Sequence, residues 1–151
     1  MSLIWLDRYK IGDAEIDRQH QVLFQLANQF LAAQDRSSRI ACSMTLFRHT
    51  QEHFEHEEGL MRRIAYPHIG AHFKEHSALL SKVNGFSVQI AADTLNNAEL
   101  EAFLADWLVR HMVTSDTQLA AHLGLLVEEL RVDIRKHIRP PKGLPDDRGN
   151  H

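Results

Sequence analysis

Apolar residues recur along this chain at steps of three and four, with no run alternating at period two, so the pattern is helical throughout. Four long stretches carry it. The first runs from about Ile16 to Gln34, with Ile16, His20, Leu23, Ala27 and Phe30 or Leu31 on one face. Ser37 and Ser38 offer a break and a cap for a second helix, about Arg39 to Ile64, whose line is Leu46, His49, His53, Glu57, Leu60 and Ile64. Tyr66-Pro67 ends it, because the residue before a proline is pushed out of the helical region. A third helix, about His68 to Ala91, aligns Ile69, His72, His76, Leu79 or Leu80, Val83, Phe86 and Ile90. After a turn over 93–97, Asn96 with Glu99 three residues on reads as the cap of a fourth helix carrying Leu100, Leu104, Trp107 or Leu108, and His111. Four amphipathic helices joined by short turns predict an all-α, up-down-up-down four-helix bundle.

Ser115 with Gln118 repeats the capping pattern and predicts an additional C-terminal helix, about 116–139, through Leu119, Leu123, Leu126 and Leu130. It stops before Pro140-Pro141, and the polar residues 140–151 read as a flexible, disordered tail. At this length the expectation is one domain, 1–139. Arg131, Arg135, Lys136 and Arg139 form a stripe that reads first as a solvated face and second as a surface for a protein partner.

Charge and composition narrow the function. A net charge of -3 offers no basic face for a phosphate backbone, so nucleic acid is not an expected partner. No apolar run reaches bilayer length and the N-terminus lacks a signal-like core, so no membrane insertion and a cytoplasmic address are expected. The single cysteine, Cys42, reads as a buried small apolar residue. Eleven histidines are the outlier.

Those histidines sit on the wrong side of their helices. His20, His53, Glu57, His72, His76 and His111 fall in the apolar seams of four helices, where unsatisfied polar groups are costly. One such histidine is an ordinary hydrogen-bonded core residue; five together with a glutamate point to metal. His53 with Glu57, and His72 with His76, lie one helical turn apart and can converge on one point. Asp116 is five residues after His111, which in an unbroken α-helix would set the two about 140° apart. A helix that ends near Val113 and restarts at Asp116, capped by Ser115, would turn the carboxylate back inward. Five imidazoles and two carboxylates exceed the four ligands of one zinc ion, so two metals are implied. A bridging oxide or hydroxide would balance their charge, and mixed imidazole and carboxylate ligation suits iron, with zinc, manganese or copper as other occupants.

The ordered segments Trp5…Tyr9-Lys-Ile-Gly…Ile16-Asp-Arg-Gln-His20, His53-Phe-Glu-His-Glu57-Glu58, Tyr66-Pro67…His72-Phe-Lys-Glu-His76 and Trp107-Leu-Val-Arg-His111-Met-Val-Thr-Ser-Asp116 resemble bacterial hemerythrins from Trp5 to about Asp116, more weakly beyond. The resemblance implies two non-haem irons joined by an oxo or hydroxo bridge, with O2 as ligand. His72, His76 and His111 would hold one iron, His20 and His53 the other, and Glu57 and Asp116 would bridge them. O2 would bind at the two-histidine iron, in a pocket formed by Leu23, Phe54, Trp107, Leu108 and Met112. Met112 stands where the family more often has isoleucine.

His72-Phe-Lys-Glu75-His76 also fits His-x-x-Glu-His, the inverted zinc-protease motif, but that reading leaves His20, His53 and Glu57 without a purpose. The Glu-x-x-His repeats of ferritin-like oxidases are missing. His49 and His68 extend the inner seams and read as neighbours of the site; His56, His122, His137 and His151 read as solvent-facing. The expected function is reversible O2 binding for transport, storage or delivery, not catalysis. The alternative is an O2 or redox sensor that signals through the C-terminal helix to a partner or output domain.

Overall fold

The computed structural model describes residues 3–124, and among them the regular structure is all helical. The helices are α1 (Ala14–Ala32), α2 (Arg36–Arg63), α3 (Ile69–Ala91) and α4 (Asn97–Ala105), preceded by a 3-10 turn at Asp7–Tyr9. α4 passes directly into a π-helical segment, Asp106–Asp116, and residues 117–124 continue helically. The remainder of the predicted C-terminal helix, the basic stripe, the tail, His137 and His151 lie outside the described residues. So do the side chains of Met112 and Val113. α1 packs on α2 and α4, and α2 on α3, giving the predicted four-helix bundle.

Local chemistry sets the helix ends. Asp13 caps α1, accepting from Ile16 N at 2.9 Å. Asp35, not Ser37 or Ser38, caps α2: its carboxylate takes both the backbone N–H of Ser38 (3.1 Å) and that residue's hydroxyl (2.7 Å), so both serines fall inside the first turn. Asn96 caps α4 as predicted, accepting from Ala98 N and Glu99 N. α2 and α3 close alike, by paired hydrogen bonds around a left-handed residue. At α2, Ala65 (φ 51°) is flanked by Tyr66 N→Met61 O and Ala65 N→Arg62 O; at α3, Asp93 (φ 56°) sits between Thr94 N→Gln89 O and Asp93 N→Ile90 O.

The predicted seams are largely those that pack. Leu23, Ala27 and Phe30 meet Leu46, Val83, Phe86, Ile90, Leu100, Leu104, Trp107 and Leu108 in the main core, with Phe24 and Phe54 added. Both members of the Trp107 or Leu108 alternative are buried. On α2 the buried line is Ser43, Leu46, Thr50, His53, Glu57 and Met61, so His49, Leu60 and Ile64 flank the seam and are only half-buried. Cys42, expected to be buried, is half-buried at the edge of the core. A second, smaller cluster joins Met61, Tyr66 and Leu119. Along α2 and along the last helix, the histidines and acids of interest fall between residues of these two clusters.

The N-terminal arm is tied down over α1. Leu3 exchanges two hydrogen bonds with the Asn28 side chain, and Trp5 packs edge-on against Tyr9 and Phe24. The buried Asp17 carboxylate accepts from Ile11 N (2.7 Å) and Gly12 N (3.2 Å), and Gly12 takes φ +94°, which favours glycine. The Tyr9-Lys-Ile-Gly and Ile16-Asp pieces of the sequence pattern are thus an anchoring device.

Ala65 carries a Cβ in the left-handed region, which costs about 1–2 kcal/mol, while glycine adds about 0.4–1 kcal/mol of unfolded-chain entropy. Ala65→Gly is therefore expected to stabilise the chain by about 0.5–1 kcal/mol in urea denaturation. A loss of stability would show that the turn does not strain Ala65.

Candidate metal centre

The six residues singled out by their position in apolar seams converge, and Asp116 joins them. His20 comes from α1, His53 and Glu57 from α2, His72 and His76 from α3, and His111 and Asp116 from the π-helical segment; each is at most 4% exposed. Their ligating atoms fall into two overlapping groups, one of Glu57, His72, His76 and His111 and one of His20, His53, Glu57 and Asp116.

The carboxylates divide themselves between these groups. Glu57 Oε1 lies 2.6 Å from His72 Nε2 and 3.6 Å from His76 Nε2, while Glu57 Oε2 lies 3.1 Å from His53 Nε2. Asp116 Oδ1 lies 3.2 Å from His111 Nε2 and 3.4 Å from His72 Nε2, while Oδ2 lies 2.9 Å from His20 Nε2. His20 Nε2 and His53 Nε2 face each other at 3.1 Å.

Close as they are, all four carboxylate oxygens, with Nε2 of His72, His76 and His111, are buried without a well-formed hydrogen bond among the described residues. Leaving one such atom unsatisfied costs about 1–3 kcal/mol, so together they would cost on the order of 10 kcal/mol, as much as a domain's whole net stability. Atoms each ~2.1 Å from a shared first-row ion, at about a right angle, stand ~3 Å apart, which is the spacing found. The donor set therefore fits two metal ions, with Glu57 common to both groups.

The π-helical segment answers the spacing problem of His111 and Asp116, and no break at Val113 or restart at Asp116 occurs. Its hydrogen bonds close i to i+5, so residues five apart return to one side without interrupting the helix. Ser115 is not a cap; its hydroxyl donates to Glu75 Oε2 at 2.6 Å. The other Glu75 oxygen accepts from His111 Nδ1 at 2.5 Å. Glu75 is thus bound to the far side of an imidazole, away from the point where a zinc-protease glutamate would activate water.

Two further side chains take the Nδ1 proton of a site histidine: Gln19 Oε1 from His53 (2.7 Å) and Glu58 Oε1 from His76 (3.2 Å). Each such bond turns the Nε2 lone pair toward the cluster. These partners were not assigned from the sequence, although each of Gln19, Glu58 and Glu75 is the immediate neighbour of a site residue. His68 is exposed at the start of α3, against Tyr66. His49 is half-buried and lines a small surface cavity of about 120 Å³ with Arg18, Gln19, Val22, Glu52 and His53. His56 and His122 are half-buried rather than fully solvent-facing, and the His122 ring meets Tyr66 edge-on.

Phe54 stacks flat on His76, with centroids 3.7 Å apart, and packs edge-on to His111 and Trp107. Leu23, Trp107 and Leu108 are buried in the same cluster. Each stands three or four residues from a site histidine on its own helix, so it covers the adjoining turn.

In the metal-free chain, burial opposes charging of His72 and His111, but Asp116 and Glu57, with Glu75 beside His111, outweigh it and raise the rings to about 9 and about 10. Burial also opposes charge on Glu57 and Asp116, yet the imidazoles hold both below the ordinary carboxylate range. Burial lowers His53.

The family model of the hemerythrin HHE cation binding domain matches residues 12–139. A bacteriohemerythrin of Stenotrophomonas maltophilia (strain R551-3) is 30% identical over 134 residues, covering 84% of this chain and 88% of the relative. A hemerythrin of Sipunculus nudus is 32% identical over 114 residues, covering 75% of this chain and 87% of the relative. A crystal structure of a hemerythrin mutant superposes with a TM-score of 0.71 at 24% identity, covering 80% of this chain and 97% of that one, which supports the fold.

The two raised imidazoles give a signed pH dependence. Their stabilisation of the metal-free chain is full below about 6.5 and lost as pH rises through about 9 and about 10. The thermal midpoint of the metal-free chain should therefore fall between pH 6.5 and 10. Metal must displace the same protons, so the metal-loaded chain should gain stability over its metal-free form as pH rises. Calorimetry of both forms checks this, and a flat metal-free midpoint over that range would mean that neither ring is charged.

Proposed function

The chain belongs to the hemerythrin family, whose domain binds a di-iron centre, and we propose that it binds O2 reversibly as a carrier, storage or delivery protein rather than as an enzyme. One observation carries the residue assignment: Glu57 and Asp116 each direct one oxygen at His20 or His53 and the other at the group of His72, His76 and His111. On this reading the three-histidine group holds one iron, His20 and His53 hold the second, and the two carboxylates join them. Two iron ions bound there would supply the electrons with which O2 is held.

The chain's own contribution is geometry and dryness. With three donors against two from the histidines, the His20 and His53 side keeps the free position for O2. Leu23, Phe54, Trp107 and Leu108 exclude water around it, which slows oxidation; Met112 is proposed for the same wall from its place beside His111. Gln19 holds the His53 ring so that Nε2 faces inward.

A second reading, an O2 or redox sensor, is supported by the unbroken helix that leads from Asp116 into 117–124. A displacement of Asp116 would be carried along that helix toward a partner. Light scattering on the reduced and oxidised forms tests it, and an identical association state in both would remove it.

Metal analysis with optical spectra of the anaerobically reduced chain, before and after O2 and after its removal, tests the main reading. Two irons per chain, a colourless reduced form and a reversible absorption band are expected; one zinc and no O2-dependent band would sink it. Leu23→Ala should speed irreversible loss of that band several-fold while costing about 3 kcal/mol of stability. An unchanged rate would leave Leu23 as core alone.

A further inference from the structure

The three side chains that take Nδ1 protons from the site are unequal. Carboxylates serve His111 (Glu75) and His76 (Glu58), both in the three-histidine group, whereas the neutral amide of Gln19 serves His53. Nδ1 of His20 is buried with no hydrogen-bond partner among the described residues. A negative acceptor strengthens the hydrogen bond and makes the imidazole a stronger donor to metal. The charge around the two halves is therefore lopsided, although Glu57 and Asp116 are shared evenly between them.

Glu75 has a second task. With Oε2 it accepts from Ser115, the residue before Asp116, so one side chain of α3 holds the π-helical segment at both His111 and Ser115. The i to i+5 turn is the less common helical form, and a cross-helix tie on two of its residues is a means of keeping it.

We propose that Glu75 is a positioning residue that fixes the tautomer of His111 and the wide turn presenting Asp116, and that with Glu58 it makes the three-histidine position the tighter of the two, filled first. This rests on the two-metal reading above. Gln19 leaves the two-histidine position weaker, as suits the side that keeps a place free.

Calorimetric titration of the metal-free full chain with Co2+ tests it. The wild type should take up two ions in two resolved steps. Glu75→Gln preserves the shape, with its oxygen accepting from His111 and its amide donating to Ser115, but removes the charge, and should weaken the first step about 10-fold while sparing the second. Glu58→Gln should weaken the same step. Gln19→Glu should tighten the second step, a gain that misfolding cannot produce. Far-UV circular dichroism confirms that each variant is folded. Two resolved wild-type steps with Glu75→Gln leaving both unchanged, or weakening both equally, would overturn the inference while the two-metal reading stood. Failure of Gln19→Glu to tighten the second step would also overturn it. Uptake of fewer than two ions by the wild type would instead remove the two-metal reading, and this inference with it.

Discussion

Four carboxylate oxygens without a hydrogen bond among the described residues, buried at the centre of a helical bundle, are the constraint around which this fold is arranged. Apolar packing alone cannot hold Glu57 and Asp116 there, because each would need several kcal/mol of compensation in a low-dielectric core. Five imidazoles supply part of it, and they come from every helix in the bundle. Were each carboxylate paired with one histidine, the result would be a set of buried ion pairs. Instead each splits its two oxygens between two groups of rings, an arrangement that is complete only with a positive centre on either side. The polar layer lies between the main apolar core at one end and Met61, Tyr66 and Leu119 at the other.

The π-helical segment follows from the same constraint. His111 and Asp116 must reach one cluster, and a spacing of five residues in an α-helix forbids it. A break would solve the geometry but expose free backbone groups in the middle of the bundle; a widened turn keeps the hydrogen bonds and the direction of the chain. It also accounts for the position of Glu75 on the facing helix, between two residues that an α-helical turn would present differently.

Much of this was legible in the sequence, for physical reasons that can be named. Buried polar residues betray themselves by interrupting an apolar seam, so six of the seven cluster residues and three of the four long helices could be read from period alone, whereas an α-helical period points Asp116 away from the cluster. The turn at Asn96 was legible because an asparagine cap is a local device. What was not legible depended on contacts between distant segments or on competition between equivalent local signals. Asp35 outcompetes Ser37 and Ser38 as a cap because a carboxylate can take two hydrogens from Ser38. The break expected at Ser115 rested on a capping pattern whose hydroxyl is claimed by a residue forty positions away. Glu75 itself fitted a zinc motif in sequence, and only the placement of α3 against the last helix gives it a different use. The division of the carboxylate oxygens depends on side-chain torsions that no pattern of residue types encodes.

The surroundings of the cluster are as uneven as its ligand count. On the flank of His76 and His111, Phe54 lies flat against one ring and edge-on to the other, and Trp107 and Leu108 close the space behind it. On the flank of His53 the neighbours are Gln19, His49, Glu52 and Arg18 around a small cavity open to the surface. A site that must admit a small neutral molecule yet resist water benefits from this asymmetry. On the proposed reading, the charged acceptors serve the three-histidine position and the neutral one serves the two-histidine position. Phe54 also lies beside the His53 ring, with centroids 5.6 Å apart, so the apolar wall reaches the two-histidine side as well and disfavours water there. On this account the side chains behind the ligands govern how the two halves differ, while the shared carboxylates govern that there are two halves at all.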